Sequence, residues 1–112
     1  MAQKSLEQRV LEAREAWIEV GGFEFRVRRP TDLQLSEWQH LPNEQFLQKL
    51  VINWKVPEHQ VVAGGGGEVA AFTSRLFTEW VGDRMEIAEG IINRVMEMLA
   101  AHSAAREEQR KK

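Results

Sequence analysis

A chain of 112 residues suits one compact domain, and 43% apolar with 29% charged residues exclude global disorder. A formal net charge of −2 argues against an electrostatic nucleic-acid binder, and the absence of cysteine removes disulfides, thiolate catalysis and thiolate metal sites. No apolar run approaches a membrane span and the polar N-terminus does not read as a signal peptide, so the expectation is a soluble cytosolic protein with no membrane partner.

In chain order, residues 1–14 read as a loosely held helical arm. Ser5 with Gln8 makes a capping-box start, and Leu6, Val10 and Ala13 fall near one face. Trp17 to Arg29 then gives the clearest local signal: two strands joined at Gly21-Gly22. With those glycines as the loop, Val20 faces Phe23, Ile18 faces Phe25 and Ala16 faces Val27, and all six share one face. The other face pairs Trp17 with Arg26 and Glu15 with Arg28, and sets Glu19 against Glu24. An isolated hairpin is marginal, so its apolar face must pack on helices.

Pro30 ends the second strand. Thr31 and Gln34 offer another capping box for a short helix through Trp38 to about His40, which Pro42 interrupts. Asn43 is the expected cap of the next helix, where Phe46, Leu47, Leu50 and Val51 form an apolar face that Trp54 continues. Pro57 closes it. Residues 58–71, with glycines at 64 to 67, are expected to form a flexible loop without fixed structure. Thr73 or Ser74 then caps a helix carrying Leu76, Phe77, Trp80 and Val81, and Gly82 stops it.

The last helix is predicted from Asp83, as N-cap with Glu86, to Leu99. Met85, Ala88, Ile92, Val95 and Leu99 form its stripe, and Ile87, Ile91, Met96 and Met98 widen it to about half the circumference. That is wider than one small core requires. The arc therefore serves either as a central core helix or as one with an outer edge offered to a partner. Residues 100–112 read as a polar, fraying tail. The fold class is α+β: one N-terminal antiparallel β-hairpin packed on a mostly helical single domain with a long C-terminal helix.

Motifs for chemistry are weak. The glycine run is no phosphate loop, because Glu68 and Val69 stand where Lys and Ser or Thr are required. His40, His59 and His102 lack metal-ligand spacing, and no carboxylate pair or nucleophile set is recognisable. The expectation is no catalytic residue, no metal and no cofactor. Among four tryptophans, Trp54 and Trp80 fall on apolar helical faces, whereas Trp17 on the polar hairpin face is the interface candidate. Arg26, Arg28 and Arg29 form a basic cluster that reads equally as a solvated strand edge. Gly90, inside the last helix, has no core reason to be there; a partner's close approach is one reading and chance the other.

The order of features resembles the small tail assembly chaperones of long-tailed bacteriophages. The resemblance spans Trp17 to Leu99 and is anchored on Arg29-Pro30-Thr31, Trp54-Lys55-Val56, Phe72-Thr73 and the final helix. The glycine run and the early polar helix fall outside it. The resemblance implies a non-enzymatic protein of the host cytoplasm that binds the tape measure protein, recruits tail tube subunits, and is absent from the finished virion. It leaves open a frameshifted longer form. The alternatives are a structural or adaptor protein of a phage particle, or a small regulatory or enzyme subunit. Ile87, Met96 and Met98 on the last helix and Trp17 on the hairpin are the expected partner-binding residues, on a surface that also suits homo-oligomerisation.

Overall fold

A computed structural model of the chain describes residues 4–111. The first three residues of the expected arm and the last residue of the expected tail lie outside this range. The architecture is α+β. Helix α1 (Leu6–Ala13) leads into strands β1 (Glu15–Val20) and β2 (Phe23–Arg28). Helices α2 (Asp32–Trp38) and α3 (Asn43–Leu50) follow, then strand β3 (Val51–Trp54), a 3-10 turn at Glu58–Gln60, α4 (Ser74–Val81) and the long α5 (Met85–Arg110).

The hairpin register is the one that alternation dictates. Val20 pairs with Phe23, Ile18 with Phe25 and Ala16 with Val27 across β1 and β2. Gly21 and Gly22 both take positive φ, 62° and 87°, which a tight two-residue turn requires. The hairpin is not alone, however. Val51–Trp54, expected to prolong α3, is a third antiparallel strand on β2, with Phe25 opposite Trp54 and Arg26 opposite Asn53. Val27 then pairs with Val51, so Ile52 is an extra residue in a bulge. The physical reason lies in the β-branched pair Val51-Ile52 and in the alternation of buried Trp54 and Val56 with exposed Asn53 and Lys55.

The caps are partly as expected. Ser5, Thr31 and Thr73 each accept a backbone N–H three residues on, and Thr31 with Gln34 completes a capping box. Pro42, not Asn43, holds the cap position of α3. The N-cap of α5 is Arg84, one residue later than the expected Asp83, and its side chain donates to the Trp80 carbonyl at 2.8 Å and lies 4.3 Å over the Trp80 ring. At its other end α5 does not fade after Leu99 but runs on to Arg110, where Arg106 reaches Asp32 of α2 at 3.0 Å.

The inner sheet face packs on α3, α4 and α5 around fully buried Phe25, Leu50, Trp54, Phe77, Ile91 and Val95. Helix α5 crosses the turn end of the hairpin closely. A Cβ on Gly90 would lie 2.5 Å from Val20 Cγ1, and one on Gly21 would lie 3.0 Å from Ile87 Cγ1. Gly90 is therefore explained inside the molecule, by the approach of helix to strand. With Val20 shortened, Gly90→Ala should stabilise the helix by about 1 kcal/mol. Beside the native Val20 the same change should give no gain or a loss. Chemical denaturation of the two single variants and the double variant measures this coupling.

The segment expected to lack fixed structure is closed by its own backbone. Glu58 N–H donates to the Glu68 carbonyl at 2.8 Å, His59 N–H to Gly66 at 2.9 Å and Ala70 N–H to Val56 at 2.8 Å. Gly64 takes φ 85°, and a Cβ on Gly65 would sit 2.5 Å from the Glu58 carbonyl oxygen. Gly65→Ala should thus cost about 1–3 kcal/mol in thermal or denaturant unfolding. Gly66→Ala, which meets nothing within 4 Å, should stay within about 0.5 kcal/mol of the parent.

Candidate partner-binding surface

Helix α5 buries Ile87, Ala88, Ile91, Val95 and Leu99. At 100° per residue these define a stripe rotated from the one centred on Met85 and Ile92. Ile87, expected on the outer edge, is only 4% exposed and sits in the core. Its place beside Gly21 leaves it no path to a partner. Met98 is half-buried against the same core. Met96, at 42% exposure, stays on the surface.

The outer edge comprises exposed Met85 and Met96 with Ile92, which packs partly against the core, between them, spaced seven and four residues apart and so in one line along α5. Met85 is 61% exposed and Ile92 is half-buried. Met85 also borders an open groove between α3, α4 and α5, lined by Asn43, Leu47, Val81, Gly82 and Ala88. Glu44 stands on the groove wall, and Glu89 lies one turn above Met85. The surface is thus an apolar ridge and groove with an acidic border.

Trp17 lies on the opposite face of the sheet, so the structure does not bring it together with Met96. Its ring has Lys55 Nζ at 4.6 Å and the Arg26 guanidinium at 5.9 Å, and it remains 37% exposed. Beside it, Glu15 binds Arg26 at 2.9 Å and Arg28 at 2.6 Å, with its own side chain 8% exposed. Glu19 and Glu24 face each other as expected, and Lys55 stands 3.8 Å from Glu24. This outer face is mostly neutralised by its own residues.

Helix α1 buries no residue, and its Leu6 and Val10 are exposed. The molecule measures 56 × 41 × 22 Å with a radius of gyration of 15.9 Å, against about 13 Å for a compact domain of this length. Among the described residues no helix is long and apolar enough to cross a membrane. No group of three or more His, Asp or Glu able to hold a metal occurs among them. No protein-family model, curated protein or solved structure matches the chain.

Sequence reasoning missed Met85 as an edge residue by placing it at the stripe's centre. The signal was present: Ile87, Ile91 and Val95, at spacings of four, are as apolar a row as Met85, Ile92 and Met96, and less adaptable in shape.

The Glu15 pair carries a pH dependence. Burial works to raise its carboxyl pKa, but the hydrogen bonds and charges of Arg28 and Arg26 outweigh it and hold the group below its ordinary value. A lowered carboxylate stabilises the fold fully above its unfolded pKa, about 4.3, and loses that contribution as pH falls through the folded value. Glu15→Gln should therefore cost about 1–3 kcal/mol at pH 7. Unfolding curves of parent and variant should converge as the pH drops below about 4.

Proposed function

We propose that this chain is a non-enzymatic assembly chaperone that holds a helical segment of a client against the Met85–Ile92–Met96 edge of α5. The observation that carries this reading is the exposed methionine edge beside an open apolar groove. An amphipathic helix laid along α5 would bury that ridge, and lysine or arginine flanking its apolar face would meet Glu44 and Glu89. Methionine suits this role because its unbranched side chain fits varied partners. Taken with the order of hairpin, broken helices and long final helix, the client would be a phage tape measure protein. Tail tube subunits would join the complex in the host cytoplasm, and the chaperone would leave the finished virion.

The uncovered face of α1, Leu6 and Val10, favours a second reading, a particle adaptor that keeps its partner permanently. Persistence of the chain in purified particles would select it. The same ridge also suits self-association when no client is present.

The test is capture of a tape measure segment by the full chain and by a Met85→Gln/Met96→Gln variant, with circular dichroism on both. The variant should keep the parent's spectrum and bind the segment at least about tenfold more weakly. Unchanged capture by the folded variant would sink the proposal. Ile87→Asn should instead unfold the protein, since it places a polar group in the core.

A further inference from the structure

We propose that Arg14, Arg29 and Arg106 form a notch that receives one carboxylate, carried on an apolar peptide segment of a binding partner. The hairpin ladder runs one pair beyond its strands: Arg29 N–H donates to the Arg14 carbonyl at 2.7 Å. Since Glu15 stands opposite Arg28, Arg14 stands opposite Arg29. Alternation puts both on the sheet face that carries Ala16 and Val27. Like charges directly opposite destabilise an antiparallel pair, and among the described residues Asp32 is the carboxylate that offsets this at Arg29.

The neighbouring acids are already engaged. Glu15 lies on the other face with Arg26 and Arg28, and Asp32 is held by Arg106 at 3.0 Å. Arg14 Nε is shut off from solvent without a hydrogen-bond partner among the described residues. Its Nη1 reaches Gln34 Oε1 only at 3.5 Å, and that oxygen already accepts from Thr31 N–H at 3.0 Å. Arg29 Nη1 reaches the Pro30 carbonyl only at 3.4 Å. Burial first, and then the charge of Arg14, opposed by Asp32 and joined by Arg106, press the Arg29 pKa below its ordinary value. Asp32 thus serves Arg106 directly and Arg29 through its charge, and among the described residues Arg14 and Arg29 make only long contacts to neutral oxygens.

A second carboxylate at the solvent-reached guanidinium ends would give Arg14 Nη1 and Arg29 Nη1 the strong acceptor that their long contacts to neutral oxygens do not supply. Its oxygens match the planar guanidinium fork, and its charge relieves the cross-strand repulsion. Arg14 and Arg29 are half-buried, so solvent reaches part of each. Exposed Leu11 and Leu33 lie three residues before Arg14 and one after Asp32. A single acidic side chain between apolar neighbours fits this setting. A polyanion would instead meet the carboxylates of a chain whose net charge is −2.

The experiment follows the arginine Nε–H signals of the full chain by nitrogen-15 NMR. The probes are a capped peptide with one glutamate between leucines, its glutamine counterpart, and inorganic phosphate at matched ionic strength. The glutamate peptide should shift the Arg14 and Arg29 signals saturably. The glutamine peptide and phosphate should bind at least about tenfold more weakly. Arg29→Gln should weaken the glutamate peptide by a similar factor, and so should Arg106→Gln, an exposed position that keeps the test open if Arg29→Gln unfolds. Equal affinity for the glutamine peptide, phosphate binding as tight as the peptide's, or no effect of Arg106→Gln would overturn the proposal.

Discussion

The fold depends on Trp54. It ends β3 opposite Phe25, so its position is set by the sheet. Its ring meets Phe72, Phe77 and Trp80 edge-on at centroid distances of 5.6–6.2 Å, which ties the sheet to α4. Its indole N–H donates to the Ala70 carbonyl at 2.8 Å, which anchors the far end of the glycine-rich segment. Trp80 makes the matching bond to Gln60 at 2.9 Å. A buried indole N–H without an acceptor is costly, so each tryptophan fixes the backbone that satisfies it. Two side chains therefore hold a segment that its own glycines would leave free.

Helix α5 takes its position from that assembly. Its N-terminal end is held by Arg84 on Trp80, and its second turn by the close approach of Gly90 to Val20. These two points fix its rotation about its own axis. Once Ile87 faces Gly21, the periodicity leaves Met85, Ile92 and Met96 on the outer line. The exposed ridge is thus a consequence of how close the hairpin lets the helix come.

The hairpin was fully legible because a two-residue glycine turn and a period of two leave one register that keeps an apolar face. Strand β3 was not, because Val51 and Trp54 also continue the helical spacing of Phe46, Leu47 and Leu50, and only the partner strand decides between the two. The extent of α5 was misjudged because alanines and charges after Leu99 favour helix without showing a buried face. An apolar arc half a turn wide cannot report which of its edges is covered. Ile87 and Met85 therefore exchanged roles once tertiary contacts were known. The hydrogen bonds across the glycine segment depend on carbonyl acceptors and two indoles distant in sequence. The Arg14–Arg29 opposition, by contrast, follows from extending the legible register by one pair.

The energetics of the ridge bear on what kind of binding it supports. Burying a methionine or isoleucine side chain gains about 1.5–3 kcal/mol when exposure is complete, and these three residues start partly covered. Their joint gain is then several kcal/mol, comparable to the cost of bringing two molecules together. A ridge of this size alone gives weak, reversible contact. Weak contact is useless for a permanent subunit but suited to a factor that must leave. It gains strength when a long client offers repeated sites or when a second contact is made on the same chain. The proposed arginine notch, at the open end of the hairpin, would be such a second contact. On the proposed reading, affinity would come from joining two modest sites, and release from losing either one.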